Sequence, residues 1–360
     1  MKNKILENLY IYVFIIIIFG FLIISTIIPD KTFSDYENRI LQKCPEVSIE
    51  SIFKGEFQKK FDTYVSDQIV FKNYLVKTKN YLDILQLKLE VNKVYIGQDD
   101  FFIERHSIKD YDLELLKENI NDLNTFKDKY NAEIYLIPNA CDVLSDKVYY
   151  TNDIDFNYYM SDIENIDYVD NILKNYNKDK SNLYYKTDHH WTTLGAYELY
   201  KNIVENPVEL NLEVVDKNFL GTINNKLNIN MVPDIIYKHN SDTNFSVYYD
   251  LGKKDLGLYF DKFLNTKDKY SYFLDSNHGL IQIINEDINN NEKVLIIKDS
   301  YANCFAPLIA ENYKQVDVLD LRYFNMPLSN YLKIYQYDRI IVLYNKDGFA
   351  NNSDIFKLSK

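Results

Sequence analysis

Val294-Leu295-Ile296-Ile297 is an unbroken apolar run, β-branched at three of its four positions. A strand with one wet face alternates apolar and polar residues, so a run of this kind has both faces covered. That demands layers on either side of a sheet and selects a parallel α/β arrangement. Ile134 to Ile137, Val316 to Leu321 and Ile340 to Leu343 read the same way. Between them Leu113, Leu116, Ile120 and Leu123 keep helical spacing from about Leu113 to Lys129, and a second helix is expected from Tyr301 to about Asn312. Strands alternating with helices predict a parallel sheet flanked by helices. Glu205 to Asn291 lacks that alternation and reads as an insertion with some β structure, strand-like at Phe245 to Tyr249 and Leu280 to Ile284. Val94 to Ile103 reads as a hairpin turning at Gly97 to Asp100, and Leu183-Tyr184-Tyr185 as a strand.

That last strand leads into Asp188-His189-His190-Trp191, which holds the only Trp and two of the five His. Two residues apart in an extended segment, Asp188 and His190 project to one side and His189 to the other. The carboxylate then accepts from one imidazole nitrogen, fixes the tautomer, and leaves the other nitrogen free to take a proton. Thr192 or Thr193 can cap a helix running to about Val204. What the cluster lacks is a nucleophile.

Ser300 can supply it. In Lys298-Asp299-Ser300-Tyr301 a buried strand hands over to a helix, the edge where sites form in open α/β sheets. The free N–H groups and dipole of the following helix can stabilise an oxyanion there. Ser before a helix is also an ordinary cap. The pairing with an Asp-x-His loop favours the nucleophile, because acyl transfer needs that set of three.

Leu9 to Ile28 carries no charge over about 20 residues, enough to span a bilayer. Lys2 and Lys4 precede it, which puts the N-terminus in the cytoplasm and the bulk outside. A cleaved leader is disfavoured by the length of the run and the missing A-x-A pattern. Asp30 to about Ser51 is an irregular linker, and Phe53 to about Leu89 reads as one or two amphipathic helices. Net charge is −12, without the basic footprint that nucleic acid requires. Cys44, Cys141 and Cys304 imply no disulfide framework, and Cys44 is not a lipid-attachment site. There is no internal repeat and no Gly-rich phosphate loop.

Asp188-His189-His190-Trp191 resembles the signature of the DHHW family of extracytoplasmic proteins, which are SGNH-hydrolase-like and similar to alginate O-acetyltransferases. Further matching stretches are Glu37-Asn38-Arg39, Ser66-Asp67-Gln68, Ile96-Gly97-Gln98-Asp99, Ile137-Pro138-Asn139, Asn277-His278, Lys298-Asp299-Ser300-Tyr301-Ala302-Asn303 and Asp320-Leu321-Arg322-Tyr323. The resemblance implies an SGNH-like parallel sheet and a triad whose Asp-x-His precedes Ser in the chain, the reverse of the usual SGNH order. Ser300 becomes nucleophile, His190 base and Asp188 orienter. Arg322 matches an Arg of the acetyltransferases, and Tyr344 is the nearest match to a later Tyr. Unlike the alginate proteins, this chain places His189 between the acid and the base, and shows no glycan-binding module after the catalytic region.

The domain layout expected is a cytoplasmic tail 1–8, an anchor 9–28, linker and amphipathic helices 29–92, and a catalytic domain 93–350 with its insertion at about 205–291. The activity expected is O-acetyl transfer to a cell-surface or secreted glycan, with acetyl supplied by a multi-spanning membrane partner. A carbohydrate acetyl esterase and a non-catalytic glycan-binding or assembly protein are the alternatives. Asn277 or Asn139 can offer an oxyanion amide, unless both serve as turn residues, and Trp191 is a further candidate at the substrate. No cofactor is required. A metal held by Asp188, His189 and His190 is disfavoured by the divergence of adjacent His on a strand and the absence of HExxH or a Cys cluster. His106 and His239 read as surface residues, and Cys304 as core.

Overall fold

The structure, a computed structural model, describes residues 2–34, 39–250, 252–255 and 257–360. The chain forms two compact units, one holding residues up to Leu87 together with 225–229, the other holding 88–224 and 230–360. Glu37 and Asn38 of the matching stretches lie outside the described residues.

The first unit begins with a helix, Lys2–Ile27. Among the described residues this is the one helix long and apolar enough to cross a bilayer, with a mean hydropathy of 2.7 over Asn8–Ile27. Signal sequences and retained anchors both have this character. Beyond it, Phe33–Ser34 pairs with Arg39–Ile40, and helices follow at Ile49–Phe53, Glu56–Gln68 and Lys72–Leu85. A polar tie closes this unit. The buried Asp67 accepts from Arg39 Nη1 at 2.9 Å and Nη2 at 2.5 Å, and from the Gln42 N–H at 2.9 Å. The Arg39 hydrogen bonds hold its carboxyl down at about 2.

In the second unit a central sheet has seven strands. They are β1 (Glu133–Ile137), β2 (Phe245–Tyr249), β3 (Lys253–Asp255), β4 (Leu280–Asn285), β5 (Lys293–Lys298), β6 (Gln315–Leu319) and β7 (Arg339–Asn345), in the order β3-β2-β4-β6-β5-β7-β1. The four strands read from unbroken apolar runs, β1, β7, β5 and β6, pair in parallel. Along β5, Val294 and Ile296 face one core and Leu295 and Ile297 the other, all without solvent exposure. Asp112 caps the helix Leu113–Tyr130, whose Leu116, Ile120, Leu123 and Phe126 pack into the second of those cores.

The sheet departs from the parallel arrangement in being mixed. β4 runs antiparallel to both β6 and β2, and β3 antiparallel to β2. The physical reason is connection length. Residues 286–292 join β4 to β5, too short for a parallel crossover, which takes a dozen or more. The stretch 205–291 is therefore no insertion apart from the sheet, since it supplies β2, β3 and β4.

Three local expectations also change. Leu183-Tyr184-Tyr185 forms only a single bridge, Tyr184 to Trp191, because the chain turns back on itself and closes Tyr185 N–H onto His190 O at 3.2 Å. The helix after Ser300 is split into a 3-10 turn, Ser300–Asn303, and an α-helix, Ala306–Ala310. Pro307 lacks the N–H that a continuous helix would use, and it sits in the first turn of the new one. His106 and His239 are buried. Burial is tolerable because each finds a polar partner, Tyr111 OH at 2.9 Å from His106 Nδ1, and the Asn211 N–H at 3.3 Å from His239 Nδ1.

Candidate active site

The chain from Lys186 to His190 is a bent loop, not an extended strand, and its geometry is set by Asp188. Asp188 Oδ1 accepts from the His190 backbone N–H at 3.0 Å and from His190 Nδ1 at 2.5 Å. Its Oδ2 accepts from the Thr222 N–H at 2.8 Å and the Thr222 hydroxyl at 3.1 Å. Burial alone would raise this carboxyl, but the imidazoles of His190 and His189 and these donors hold it far below the usual carboxylate range. An ionised carboxylate accepts only, so His190 carries its proton on Nδ1 and presents a bare Nε2.

That Nε2 lies 2.8 Å from Ser300 Oγ. Ser300 opens its 3-10 turn directly after β5, with Asp299 as the cap, and Asp299 Oδ1 accepts from the Tyr301 N–H at 2.9 Å. Asp299 Oδ2 accepts from the Asn345 N–H at 2.8 Å, while burial pushes its carboxyl up to about 6. The turn therefore tethers the end of β5 to the end of β7.

Two further bonds clamp the loops. Trp191 Nε1 donates to Tyr301 O at 2.8 Å, and Tyr301 OH donates to His189 O. Tyr270 stacks flat on the His190 ring, centroids 3.7 Å apart and planes 10° from parallel. Acid, base and hydroxyl are thus held by packing as well as by hydrogen bonds, the condition for a base to meet one atom repeatedly.

His189 departs from the expectation that it points away from His190. In a bent loop adjacent side chains need not diverge, and its ring lies 3.9 Å from that of His190, with Nδ1 2.7 Å from Thr222 Oγ. The donor atoms of Asp188, His189 and His190 come within 4.8 Å of one another. The Asp188 oxygens, His189 Nδ1 and both His190 nitrogens already have partners in Thr222, Ser300 and within the acid–imidazole pair.

The remaining candidates scatter. Trp191 and Tyr344 are fully buried and offer a ligand no surface. Tyr344 OH has no hydrogen-bond partner and its ring belongs to the core under the Leu113–Tyr130 helix. Arg322 grips Asp320 through Nε at 2.9 Å and Nη2 at 2.6 Å. Asp320, fully buried, also lies 3.4 Å from Lys298 Nζ. Lys298 is buried too, which lowers its ammonium to about 8, and it donates to Asn277 Oδ1 and Asn303 Oδ1 at 2.8 Å each. Asn277 is thereby drawn into a polar network beneath the turn of Ser300. Asn139 is buried beside His189 and Tyr301, lining a small cavity.

Sequence reasoning missed Thr222 and Tyr270, and gave Lys298, quoted in its motif, no role of its own. Thr222 follows Gly221, and a Cβ on Gly221 would collide with the Asp188 carboxylate. A glycine that lets backbone meet an acid has no signature in one sequence, and Tyr270 is one of 33 Tyr.

Residues 91–319 match the profile of the family described as DHHW protein. Among solved structures the chain is similar to a DHHW family protein from Eubacterium siraeum, at 20% identity and a TM-score of 0.60, covering 75% of this chain and 96% of that one. It is similar to Bacillus cereus PatB1, at 19% identity and a TM-score of 0.58, covering 74% and 99%. A fainter likeness, 14% identity and a TM-score of 0.45 over 74% and 99%, is to the O-acetyltransferase domain of Pseudomonas putida AlgJ. Among curated proteins none matches in sequence.

Proposed function

The chain belongs to the DHHW family, and from that premise we propose that it is an extracytoplasmic carbohydrate O-acetyltransferase working through Ser300, His190 and Asp188. The observation that carries this reading is the 2.8 Å contact of Ser300 Oγ with a His190 whose other nitrogen is held by Asp188. In the first half-reaction Ser300 Oγ attacks the acetyl carbonyl while its proton passes to His190 Nε2. The donor's leaving oxygen takes that proton and departs, leaving an acetyl ester on Ser300. In the second, a glycan hydroxyl gives its proton to Nε2, attacks the ester, and Ser300 regains a proton. Water in place of the glycan makes the same site an esterase.

The oxyanion falls to the Ser300 N–H and to Asn277, whose oxygen is tied to Lys298 so that its amide N–H groups face away from the lysine. The Tyr301 and Ala302 N–H groups are already spent on Asp299. PatB1 has been solved with a sulfonyl adduct. A sulfonyl fluoride is the matching probe here, and one adduct per chain on Ser300 is the expected mass change. The decisive assay follows a nitrophenol burst from p-nitrophenyl acetate and then acetyl transfer to oligosaccharides. A chain that shows neither burst nor transfer is not an acetyltransferase or esterase.

Arg322 is assigned to steadying developing charge, through Nη1. Arg322→Ala is expected to reduce turnover at least tenfold. It also lowers the melting temperature, since the buried Asp320 loses its bidentate partner and keeps only Lys298 at 3.4 Å. Arg322→Lys, which keeps a cation beside Asp320 without the guanidinium fork, should hold most of the stability and not the turnover. Retention of both would make Arg322 a salt-bridge residue only.

The apolar N-terminal helix is assigned as a single-span anchor with the bulk outside, where a multi-spanning partner can deliver acetyl. A phosphatase reporter fused after Lys360 is expected to be active only in the extracytoplasmic compartment. Activity of a cytoplasm-dependent reporter at the same position reverses the topology.

A further inference from the structure

Against His189 and Tyr301, the chain neighbours of His190 and Ser300, lies a small cavity walled also by Asn139, Ile223, His106 and Asp347. It admits about one hydroxyl-sized group. Two of its walls are chemically specified. Asn139 is 3% exposed, and its Nδ2 has no hydrogen-bond partner. A buried amide N–H left unpaired is costly, and such groups are usually met by a ligand or a water.

The second wall is His189, and its tautomer follows from its neighbours. Thr222 has one hydroxyl proton, and the Asp188 carboxylate, 3.1 Å away, takes it. The 2.7 Å contact of Thr222 Oγ with His189 Nδ1 must then be donated by the ring. Burial and the nearby His190 hold His189 below the ordinary imidazole value, which keeps it neutral. Its proton sits on Nδ1, and the edge left over carries a bare Nε2. Close by, Tyr111 OH donates to Asp347 at 2.6 Å, and its hydrogen bonds with His106 and Tyr111 keep that carboxyl low, at about 2, against the effect of burial.

The lining thus includes one unpaired N–H donor, Asn139 Nδ2, and acceptors in the His189 imidazole and the Asp347 and Glu104 carboxylates. A hydroxyl satisfies this set, accepting from Asn139 and donating to His189 or Asp347. A carboxylate ligand would face these acceptors and be repelled. The His189 ring that walls the cavity lies 3.9 Å from the ring of His190, whose Nε2 meets Ser300 Oγ, which sets the cavity next to the reacting pair. Building on the acyl-transfer reading, we infer that His189 and Asn139 select the acceptor by binding a free hydroxyl on the carbon next to the one acetylated. The acceptor class is then a neutral sugar unit carrying vicinal hydroxyls.

Competition between two small acceptors tests this. The full-length chain, acetylated from p-nitrophenyl acetate, is offered equal cis-1,2-cyclohexanediol and cyclohexanol, and the two acetate esters are counted. Their ratio is independent of how much acetyl-enzyme forms. The diol is expected to win roughly three- to tenfold, the worth of one neutral hydrogen bond. His189→Asn, which keeps an amide near Thr222 and has nothing at the Nε2 position, should bring the ratio near one. His189→Gln, whose longer amide reaches that position, should restore part of it. A wild-type ratio near one, or a preference that His189→Asn leaves intact, overturns the inference. Without any burst the acyl-transfer reading fails separately, and binding then decides. Saturable binding of the diol to Ser300→Ala, seen in ligand-observed NMR and weakened by His189→Asn, keeps the cavity as a hydroxyl site; equal or absent binding removes it.

Discussion

Ser300→Ala is expected to end the nitrophenol burst, the sulfonyl adduct and acetyl transfer together, a loss of at least about 10⁴-fold in kcat, as when a Ser nucleophile is removed elsewhere. The size follows from the chemistry. Without Oγ there is no ester for the second half-reaction to resolve, and any residual rate comes from binding and oxyanion stabilisation. The fold should be spared. Ser300 is half-buried, and its Oγ contacts His190 at the surface of the turn. The backbone of the turn is pinned by Asp299 and Tyr270, through the Tyr301 N–H and Ser300 O. The melting temperature is expected within a few degrees of wild type. A variant equally stable and equally active would return Ser300 to the rank of a helix cap and move the chemistry elsewhere. His190→Ala should match it in activity, since hydroxyl and base act as a unit.

Much of this was legible because it is local. The parallel core β1, β7, β5, β6 announces itself through unbroken apolar runs, whose burial on both faces leaves no room for alternation. Asp188 and His190 share one loop, so their meeting needs only a spacing of two. The direction of β4 was not legible, because Leu280 to Ile284 reads alike whichever way it runs, and only the short link to β5 betrays it. The reading of an extended loop around Asp188 failed for a related reason. The hydrogen bond from Tyr185 N–H to His190 O bends it, and no residue pattern marks that closure. Arg322 is singled out by resemblance, yet its grip on Asp320, and the buried Lys298 that shares Oδ2 of that carboxylate, come from tertiary packing.

The acid is where sequence and packing meet most tightly. Asp188→Asn is expected to reduce kcat by about 10³–10⁴, less than loss of Ser300, because the tautomer is changed while the nucleophile remains. The carboxylate accepts from four donors, two on each oxygen. An amide must turn its NH₂ toward one of those pairs. Toward His190, it forces Nδ1 to accept, so the ring proton moves to Nε2 and Ser300 faces a donor where it needs a base. Toward Thr222, it sets two N–H groups against a backbone N–H and strips that side of its partner. Gly221→Ala reaches the same place by a steric route, since its Cβ would overlap Asp188 Oδ2 and fall 2.6 Å from Asp188 Cγ. The acid would shift from His190 Nδ1 with its charge intact. Both variants should bind a sulfonyl fluoride far more slowly than wild type and still unfold cooperatively. If Gly221→Ala keeps full activity, the carboxylate tolerates displacement, and orientation of His190 must come chiefly from the stacked Tyr270.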